Sequence, residues 1–386
     1  MIGGELLAEG GYGCIFYPPI DCKGKQTKNK DYISKIQKND TSSQNEIFVG
    51  TIVSKQIPNF RYYFAPSISK CPLRAEKMNF ADVHKCTQIN KNKKLVILRM
   101  PYTHGKEIDM YIIENNNIKH SLMNILSGYQ HLLKGLQLLQ DKNICHFDIK
   151  THNILFDTRR NIPILIDFGL SIYTKQIFTK TKFFFYRYIP QYYVWPLEVH
   201  VLNYLLNVKN DNGEERTSLT EDDIVTISSE FTRHHKILNK LFSKDIVNMY
   251  ENLCISYSKK YIGMSKKEII NDIIFFWKTW DNYGLSVVYL KLIQFLSPKG
   301  FSNNSFIIHF SQLLFENIHP NPQKRHDLEI TISKFEAFFY DQTINNTSNY
   351  EKMFTQLDTS YKNTKNAIST NKKDMKQLHS ISARTS

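Results

Sequence analysis

The sequence predicts an α+β fold in which a β-rich N-terminal part precedes a larger, mostly helical part. Three observations predict it. Residues 5–17 and 31–37 show the alternation typical of strands, and glycines interrupt the first run. Residues 121–139 carry apolar side chains at helical spacing. Two short apolar runs, 154–156 and 164–166, predict buried strands, and polar side chains lie directly beside both.

Composition limits the classes of protein without selecting one. At 386 residues the chain is long enough for one large domain or for two lobes with cores of their own. Its formal net charge of +14 suggests anionic partners, which include nucleotides, nucleic acids, membrane surfaces and acidic proteins. The N-terminus lacks the features of a signal peptide, and no apolar run reaches the roughly 18 residues of a membrane span. We therefore expect a soluble cytoplasmic protein.

The six cysteines are scattered along the chain without closely spaced pairs. This distribution argues against a disulfide framework or a zinc site and favours a reducing compartment. Cys71 and Cys86 could bind a metal together with His84, but two surface thiols in a loop are the interpretation that we favour.

The glycines between the first two predicted strands form a candidate phosphate-binding turn, E-G-G-Y-G. Backbone amides can approach phosphate oxygens closely only where side chains are absent, so such turns need glycine. An ordinary glycine hairpin is the alternative. Lys35 lies on the following strand, where a solvated edge lysine is the alternative to a functional one.

A helix should begin near residues 41–43, and it carries Glu46, the only glutamate between Lys35 and Glu76. Glu46 is therefore the candidate partner of Lys35. Ser43 and Glu46 also have the spacing of a capping box, in which the glutamate bonds back to the start of the helix. Two further strands are predicted at 62–68 and 94–100, with an irregular insertion between them.

The segment 143–169 carries the residues on which the functional prediction depends. Four polar side chains lie there among apolar runs: Asp148, Lys150, Asn153 and Asp167. Placing a lysine and two carboxylates beside buried strands costs free energy unless they face a site. Phosphoryl transfer uses such a set, because one carboxylate orients the acceptor hydroxyl, a carboxylate and an amide hold magnesium, and a cation offsets phosphate charge. Reading His146 as a core histidine and Asn153 as a turn residue is the alternative.

H-x-D-x-K-x-x-N from His146 to Asn153, followed by D-F-G from Asp167 to Gly169, resembles the catalytic core of eukaryotic-type protein kinases. In motif order the resemblance covers roughly residues 5–338. The start G-G-Y-G-C-I-F-Y-P, H-F-D-I-K and W-P-L-E resemble the serine/threonine kinases of large nucleocytoplasmic DNA viruses. The resemblance implies a bilobal protein-kinase-like fold with these parts: an N-lobe and hinge at 1–104, a C-lobe at 105–340 with a helical insertion at about 199–280, and a flexible basic tail at 341–386.

The resemblance also implies the reaction, which is transfer of the γ-phosphoryl group of ATP to serine or threonine hydroxyls of proteins, with Mg²⁺ or Mn²⁺. It implies that Asp148 and Lys150 are catalytic and that Asn153 and Asp167 bind the metal. The residues that it assigns to nucleotide binding are Ala8, Gly10, Gly11, Gly13, Ile15, Lys35, Glu46, Leu98 and Met100.

Three features of the C-terminal part follow from the same resemblance. Glu198 at the end of W-P-L-E should form a buried pair with Arg325. Asp281 should brace the catalytic loop through backbone amides. The resemblance also implies an activation segment between D-F-G and W-P-L-E, at residues 170–198. Phe147 replaces the arginine whose side chain usually binds a phosphate group on that segment. We therefore expect activity that does not require phosphorylation of the activation segment.

Three other functions stay open at this point. A pseudokinase scaffold would keep the fold and lose turnover, although the main polar positions are all present. A small-molecule kinase of the aminoglycoside or choline type also uses H-x-D and a later aspartate, but Lys150, W-P-L-E and Arg325 speak against it. A nucleic-acid-binding protein would account for the charge, yet no zinc, helix-turn-helix or RNA-binding motif is present. The sequence does not identify the physiological substrate, the activator or the oligomeric state.

Overall fold

The computed structural model describes the chain in segments: 4–10, 13–25, 27–73, 82–87, 94–114, 118–296 and 305–345. Contacts divide these residues into two units. The first contains the described residues of 1–111 together with 152–171, and the second contains those of 112–151 and of 172–345. The first unit is rich in β-strands and the second is mostly helical. The predicted α+β class is thereby confirmed, and the arrangement of elements is consistent with the protein kinase fold.

A five-stranded antiparallel sheet forms the first part of the first unit. Its strands are β1 (Glu5–Gly10), β2 (Gly13–Tyr17), β3 (Tyr32–Lys38), β5 (Ser69–Leu73) and β6 (Leu95–Pro101), in the order β1-β2-β3-β6-β5. Helix α1 (Thr41–Gln56) follows β3 and begins where the sequence predicts it. Apolar side chains on β2 and β3, among them Phe16 and Ile36, are buried beneath the sheet.

Close backbone approach explains two glycines in this unit. A Cβ atom on Gly13 would overlap the carbonyl oxygen of Ile36 on the neighbouring strand. A Cβ atom on Gly50 would overlap the carbonyl oxygen of Ser67, so α1 can lie against this backbone only with glycine there. No side chain fits at position 50, because even its Cβ atom would overlap the backbone of Ser67.

Two disulfide bonds, Cys14–Cys86 and Cys22–Cys71, lie in the first unit. The expectation of unpaired cysteines is therefore wrong, and so is the alternative of a metal held by Cys71 and Cys86, which bond to different partners. The partners are 72 and 49 residues apart in the chain, and folding of the β-rich unit brings them together. The spacing of the cysteines along the sequence therefore gave no indication that they pair in disulfide bonds. The two free cysteines, Cys145 and Cys254, are buried.

A second, four-stranded sheet completes the first unit. Its strands are β4 (Phe64–Ala65), β7 (Gly105–Glu107), β9 (Ile154–Asp157) and β10 (Ile162–Ile166), in the order β4-β10-β9-β7. The predicted strand at 62–68 is wrong in extent, because a 3-10 turn occupies Phe60–Tyr62. Since β7 pairs with β9, the first unit continues past residue 104, and the short helix α2 (Ile108–Glu114) follows. Asp109 lies in the first turn of α2, fully buried.

The second unit contains one short antiparallel pair, β8 (Ile144–Cys145) with β11 (Ile172–Tyr173). Its helices are α3 (Ile118–Asp141), α4 (Thr181–Phe184), α5 (Leu197–Asn207), α6 (Glu221–His234), α7 (Lys236–Leu241), α8 (Lys244–Ser258), α9 (Lys266–Phe275), α10 (Trp280–Leu296), α11 (Ser305–Asn317) and α12 (Leu328–Asn345). Capping boxes at Thr220 and Ser265 begin α6 and α9. Helix α12 ends beyond the predicted start of the tail at 341, and residues 346–386 lie outside the described residues.

None of the helices in the described part of the chain combines the length and the apolar character that a membrane crossing requires.

Two fully buried histidines make the stability of the protein depend on pH. Burial lowers the pKa of His200 to about 4 and the pKa of His235 to about 3. An unfolded histidine has a pKa of about 6.5, so below that pH the unfolded chain binds protons that the folded chain excludes. We expect the free energy of unfolding to fall by about 1 kcal/mol for each histidine between pH 7.0 and pH 5.5. Urea unfolding at the two pH values measures this, with His84→Asn as a control at an exposed position. A flat profile would contradict the expectation.

Candidate active-site residues

Lys35 and Glu46 form a buried ion pair in the first unit. The Nζ atom of Lys35 donates to Oε2 of Glu46 at 3.0 Å, and the two side chains expose 8% and 1% of their surface. Lys35 lies on β3 and points away from solvent, so it is not the exposed edge lysine of the alternative interpretation. The contact joins a strand to the helix that follows it.

Two neutral donors fix the carboxylate of Glu46 for this contact. Gln37 Nε2 donates to Oε2 at 3.2 Å, and Ser67 Oγ donates to Oε1 at 2.8 Å. The capping box of α1 uses Asp40 and Ser43, and Asp40 is the N-cap residue. The interpretation of Glu46 as a helix cap is therefore wrong, and its carboxylate is available to Lys35.

Asp167 brings a second carboxylate to Lys35, with Oδ1 at 3.3 Å from Nζ. Burial alone would lower the pKa of Lys35, but the carboxylates of Asp167 and Glu46 outweigh it, so the pKa is raised above its ordinary value. The lysine therefore keeps its positive charge throughout the physiological range. The side chain of Asp167 is 32% exposed, so part of its carboxylate remains accessible to a ligand.

The two candidate metal ligands lie at the same end of a strand pair. Asn153 directly precedes β9, Asp167 directly follows β10, and the antiparallel register sets Ile154 opposite Leu165. Asp167 has a positive φ of 62°, which turns the chain sharply after the strand. An amide and a carboxylate at one strand end are oxygen donors of the kind that Mg²⁺ binds.

The backbone after Asp167 is held against α1. Asn45 Nδ2 donates to the carbonyl oxygens of Gly169, at 3.3 Å, and of Ser171, at 2.8 Å. Phe168 is fully buried and meets Phe64 edge to face, with ring centroids 6.0 Å apart. These contacts fix the D-F-G turn within the same unit as the Lys35–Glu46 pair.

The remaining nucleotide candidates lie on the five-stranded sheet. Gly10 pairs with Gly13 across β1 and β2, and the candidate Gly11, like Tyr12, lies outside the described residues. Ala8 and Gly10 are exposed, whereas Ile15 is half-buried. Leu98 and Met100 are both buried on β6, and Leu98 pairs with Lys35 across β3 and β6.

Asp148 and Lys150 belong to the second unit, where they contact each other and the side chain of Tyr192. Lys150 Nζ donates to Asp148 Oδ2 at 3.1 Å and to the hydroxyl of Tyr192 at 3.2 Å. The Tyr192 hydroxyl also makes a short hydrogen bond to Asp148 Oδ1. A hydroxyl group therefore lies against both groups to which the sequence assigns catalysis.

The predicted contact of Asp281 with the backbone of the H-x-D segment, residues 146–148, is confirmed. Its two carboxylate oxygens accept hydrogen bonds from the amides of His146, at 2.6 Å, and Phe147, at 2.8 Å. Phe147 has a positive φ of 64°, which is unfavourable for a bulky side chain by about 1–3 kcal/mol. The two amide contacts help to hold this conformation.

The side chain of Phe147 lies in a cluster of aromatic rings. It stacks on Trp195 at 5.0 Å between centroids, meets Phe185 edge to face at 5.7 Å, and contacts Trp280 at 5.5 Å. Trp195 Nε1 also donates to the carbonyl oxygen of Phe147 at 2.8 Å. Phe147, which stands where the resemblance expects an arginine, therefore packs through apolar contacts against Phe185 and Trp195 of the segment that follows D-F-G.

The predicted pair of Glu198 and Arg325 is confirmed as a fully buried, bidentate contact. The guanidinium donates from Nη1 to Oε1 at 2.7 Å and from Nη2 to Oε2 at 2.8 Å. Trp280 Nε1 donates to the same carboxylate at 3.1 Å. The pair ties the start of α5 to the chain just before α12.

Sequence reasoning missed several residues that these contacts involve. Ser67 and Gln37 are ordinary polar residues in the sequence, and no spacing rule indicates that they hold Glu46. Tyr192 and Trp195 lie in an aromatic-rich run whose composition suggests burial, but not contact with Asp148 or Phe147. The one signal that could have found Trp195 is the aromatic residue at position 147, which needs an apolar partner.

Comparisons with known proteins show sequence similarity to protein kinases. The protein kinase domain family matches residues 73–191. The probable serine/threonine-protein kinase fnkB of Dictyostelium discoideum is 29% identical over 93 residues, which are 24% of this chain and 17% of that protein. Serine/threonine-protein kinase CLA4 of Candida albicans is 40% identical over 92 residues, or 24% of this chain and 9% of CLA4. A probable serine/threonine-protein kinase, an MRK1 homolog of Encephalitozoon cuniculi, is 40% identical over 60 residues, 16% of this chain and 18% of that protein.

These matches show that part of the chain, including residues 73–191, is similar to eukaryotic-type serine/threonine protein kinases. The matched kinase segment includes Asp148, Lys150, Asn153 and Asp167. It does not include Lys35 and Glu46 on one side or Glu198 and Arg325 on the other, and the contacts of these four residues come from the structure alone. The alignments span less than a fifth of the length of the curated relatives.

Proposed function

We propose that this chain is an ATP-dependent serine/threonine protein kinase. The observation that carries the proposal is the buried contact of Lys35 with both Glu46 and Asp167 in the first unit. A structural lysine would need only one carboxylate to balance its charge, whereas here the second carboxylate remains partly exposed. The kinase resemblance of the segment around Asp148 and the matched relatives support the same conclusion.

The donor chemistry of the first unit fits a nucleotide with a hard divalent cation, Mg²⁺ or Mn²⁺. Asn153 and Asp167 would hold the cation through oxygen atoms, and Lys35 would bind phosphate oxygens through its ammonium group. Ala8, Gly10, Gly11 and Gly13 would cover the phosphates, while Ile15, Leu98 and Met100 would line the base. When bound, the cation offsets the negative charge that develops on the transferred phosphoryl group.

In the proposed reaction, Asp148 orients the acceptor hydroxyl and accepts its proton, and Lys150 stabilises the phosphoryl group in transit. The structure supports these roles because a hydroxyl, that of Tyr192, already contacts both side chains. Lysine two residues after the catalytic aspartate resembles the serine/threonine pattern, and Leu170 after D-F-G favours serine. The acceptor is therefore proposed to be a protein hydroxyl, with serine preferred.

Transfer of radiolabelled phosphate from ATP tests the proposal directly. The purified chain would be incubated with Mg²⁺, a basic protein and a peptide mixture, and the labelled amino acids would be identified after hydrolysis. Label on serine and threonine supports the proposal. Label only on small molecules such as aminoglycosides or choline would replace it with a small-molecule kinase, and nucleotide binding without transfer would indicate a pseudokinase scaffold.

Activity is expected not to require phosphorylation of the activation segment. No guanidinium is present at position 147, and Phe147 instead packs against Trp195 and Phe185 from that segment. Phosphatase treatment, followed by intact-mass measurement to confirm that phosphate is gone, should therefore leave at least about half of the kcat, since packing rather than a charge pair holds the segment. Loss of nearly all activity after this treatment would refute the expectation.

The wider assignments rest on the resemblance alone. We propose on this basis that the protein is viral. We also propose that it lies in the host cytoplasm and is packaged in the virion, and that its lobes and tail have the limits given above. Direct binding to nucleic acid is not proposed, since the sequence has no specific motif for it although the chain is basic.

A further inference from the structure

A short segment, residues 82–87, lies against the glycine hairpin formed by β1 and β2, and we call it the strap. The amide of Leu6 on β1 donates to Asp82 Oδ2 at 3.0 Å. The amide of Thr87 donates to Glu9 Oε1 at 2.8 Å. The strap is thus joined by hydrogen bonds to two points on the first strand of the hairpin.

A covalent bond joins the same strap to the second strand. Cys14 directly follows Gly13 on β2, and its sulfur is bonded to Cys86. Both cysteines are buried in an apolar cluster with Phe16 and Ile36. The disulfide therefore fixes the hairpin at the residue next to the proposed phosphate-binding turn.

We propose that the Cys14–Cys86 pair is a redox-sensitive site that controls nucleotide binding through the glycine hairpin. The proposal rests on the nucleotide-binding role proposed above. A dithiol reductant would supply two electrons and two protons, the S–S bond would break to give two thiols, and the reductant would close to its own disulfide. After reduction, the strap is held to the hairpin by non-covalent contacts only.

The direction of the effect follows from preorganisation. A hairpin tied at both strands has less conformational freedom to lose when it closes over phosphates, so the oxidised protein should bind nucleotide more tightly. Reduction restores this freedom to the unliganded hairpin. We expect the Kd for Mg-ADP to rise about three- to tenfold on reduction.

The second disulfide provides an internal control. Cys22 is exposed and Cys71 is half-buried, and their bond joins the connection between β2 and β3 to β5 rather than to the strap. A reductant reaches this bond more readily, yet its loss should not change the attachment of the glycine turn. The Cys22→Ser/Cys71→Ser variant should therefore keep both the affinity and the response to reductant.

The test is calorimetric titration of Mg-ADP into full-length protein, purified without reductant, before and after treatment with dithiothreitol. Alkylation and intact mass report which disulfides are present in each sample. The Cys86→Ser variant should bind ADP as weakly as the reduced wild type and should not respond to dithiothreitol. Glu9→Ala, at an exposed position, removes the carboxylate that holds Thr87 and should increase the loss of affinity on reduction.

Three results would overturn the proposal. They are free Cys14 and Cys86 thiols in protein purified without reductant, an oxidised-like affinity in Cys86→Ser, and an unchanged affinity on reduction in both the wild type and Glu9→Ala. The Glu9→Ala comparison decides the matter if Cys86→Ser does not fold. Failure of the oxidised wild type to bind Mg-ADP at all would instead refute the proposed nucleotide site, so the two failures are distinguishable.

Discussion

Asp148→Asn is expected to lower the kcat for phosphate transfer by about 10²- to 10⁴-fold, which is the usual contribution of a general base. Asparagine has the shape of aspartate and can still contact Lys150 and the hydroxyl of Tyr192. It cannot accept a proton from the acceptor hydroxyl. The steady-state rate with radiolabelled ATP at saturating substrate measures the loss.

Two controls separate the loss of a base from loss of structure. The Kd for Mg-ADP of Asp148→Asn should equal that of the wild type, because the nucleotide candidates of the first unit are unchanged, and its circular dichroism spectrum should be that of the folded wild type. Asp211→Asn replaces an exposed aspartate with the same isosteric change and should keep full activity. A kcat within threefold of the wild type for Asp148→Asn would remove Asp148 from the proposed mechanism.

Tyr192 bears on the same experiment because its hydroxyl lies where an acceptor hydroxyl is proposed to bind. In the free protein this hydroxyl contacts both Asp148 and Lys150. A bound acceptor must therefore displace this hydroxyl or share the carboxylate with it.

The candidate site residues that sequence reasoning selected most directly are those for which the chemistry of phosphoryl transfer favours both the residue type and the spacing. Asp148, Lys150, Asn153 and Asp167 fall in one short segment where each type has a separate role in phosphoryl transfer. The Lys35–Glu46 pair was only a candidate, because a capping box has the same local spacing and only the fold decides between them. The local spacing of Ser43 and Glu46 therefore suggested a contact that the fold does not make, because the carboxylate of Glu46 binds Lys35 instead.

Contacts between distant residues account for what the sequence did not predict. The disulfide partners are separated by 72 and 49 residues, and sheet pairing rather than sequence spacing brings them together. Strand β4 has two residues, which is too short for an alternation pattern to define, and it is held by pairing with β10. Long-range pairing is the common cause of these errors. The Glu198–Arg325 pair was the exception, since the family resemblance, rather than any local pattern, indicated it.

Arg325→Met should lower the free energy of unfolding by about 3–5 kcal/mol, which makes it the largest stability effect that we expect. Both partners of the Glu198–Arg325 pair expose none of their side-chain surface. Methionine keeps much of the volume but leaves the carboxylate of Glu198 in the protein interior with only the hydrogen bond from Trp280 to offset its charge. Urea unfolding at pH 7.5, followed by circular dichroism, measures the change.

A double-mutant cycle with Glu198→Gln identifies the cause of this loss. If an unpaired buried carboxylate is responsible, the Glu198→Gln/Arg325→Met variant should be destabilised by clearly less than the sum of the single variants. Lys182→Met is the matched control, because its partner Glu215 is about as exposed as the lysine itself, at 66% and 67%, and such pairs contribute at most about 1 kcal/mol. Strict additivity in the cycle would mean that the lost stability comes from the packing of the arginine side chain and its hydrogen bonds to His319, Thr279 and Pro320, and not from its pairing with Glu198. In that case, electrostatic attraction between Glu198 and Arg325 would not be what stabilises the contact of α5 with the chain before α12.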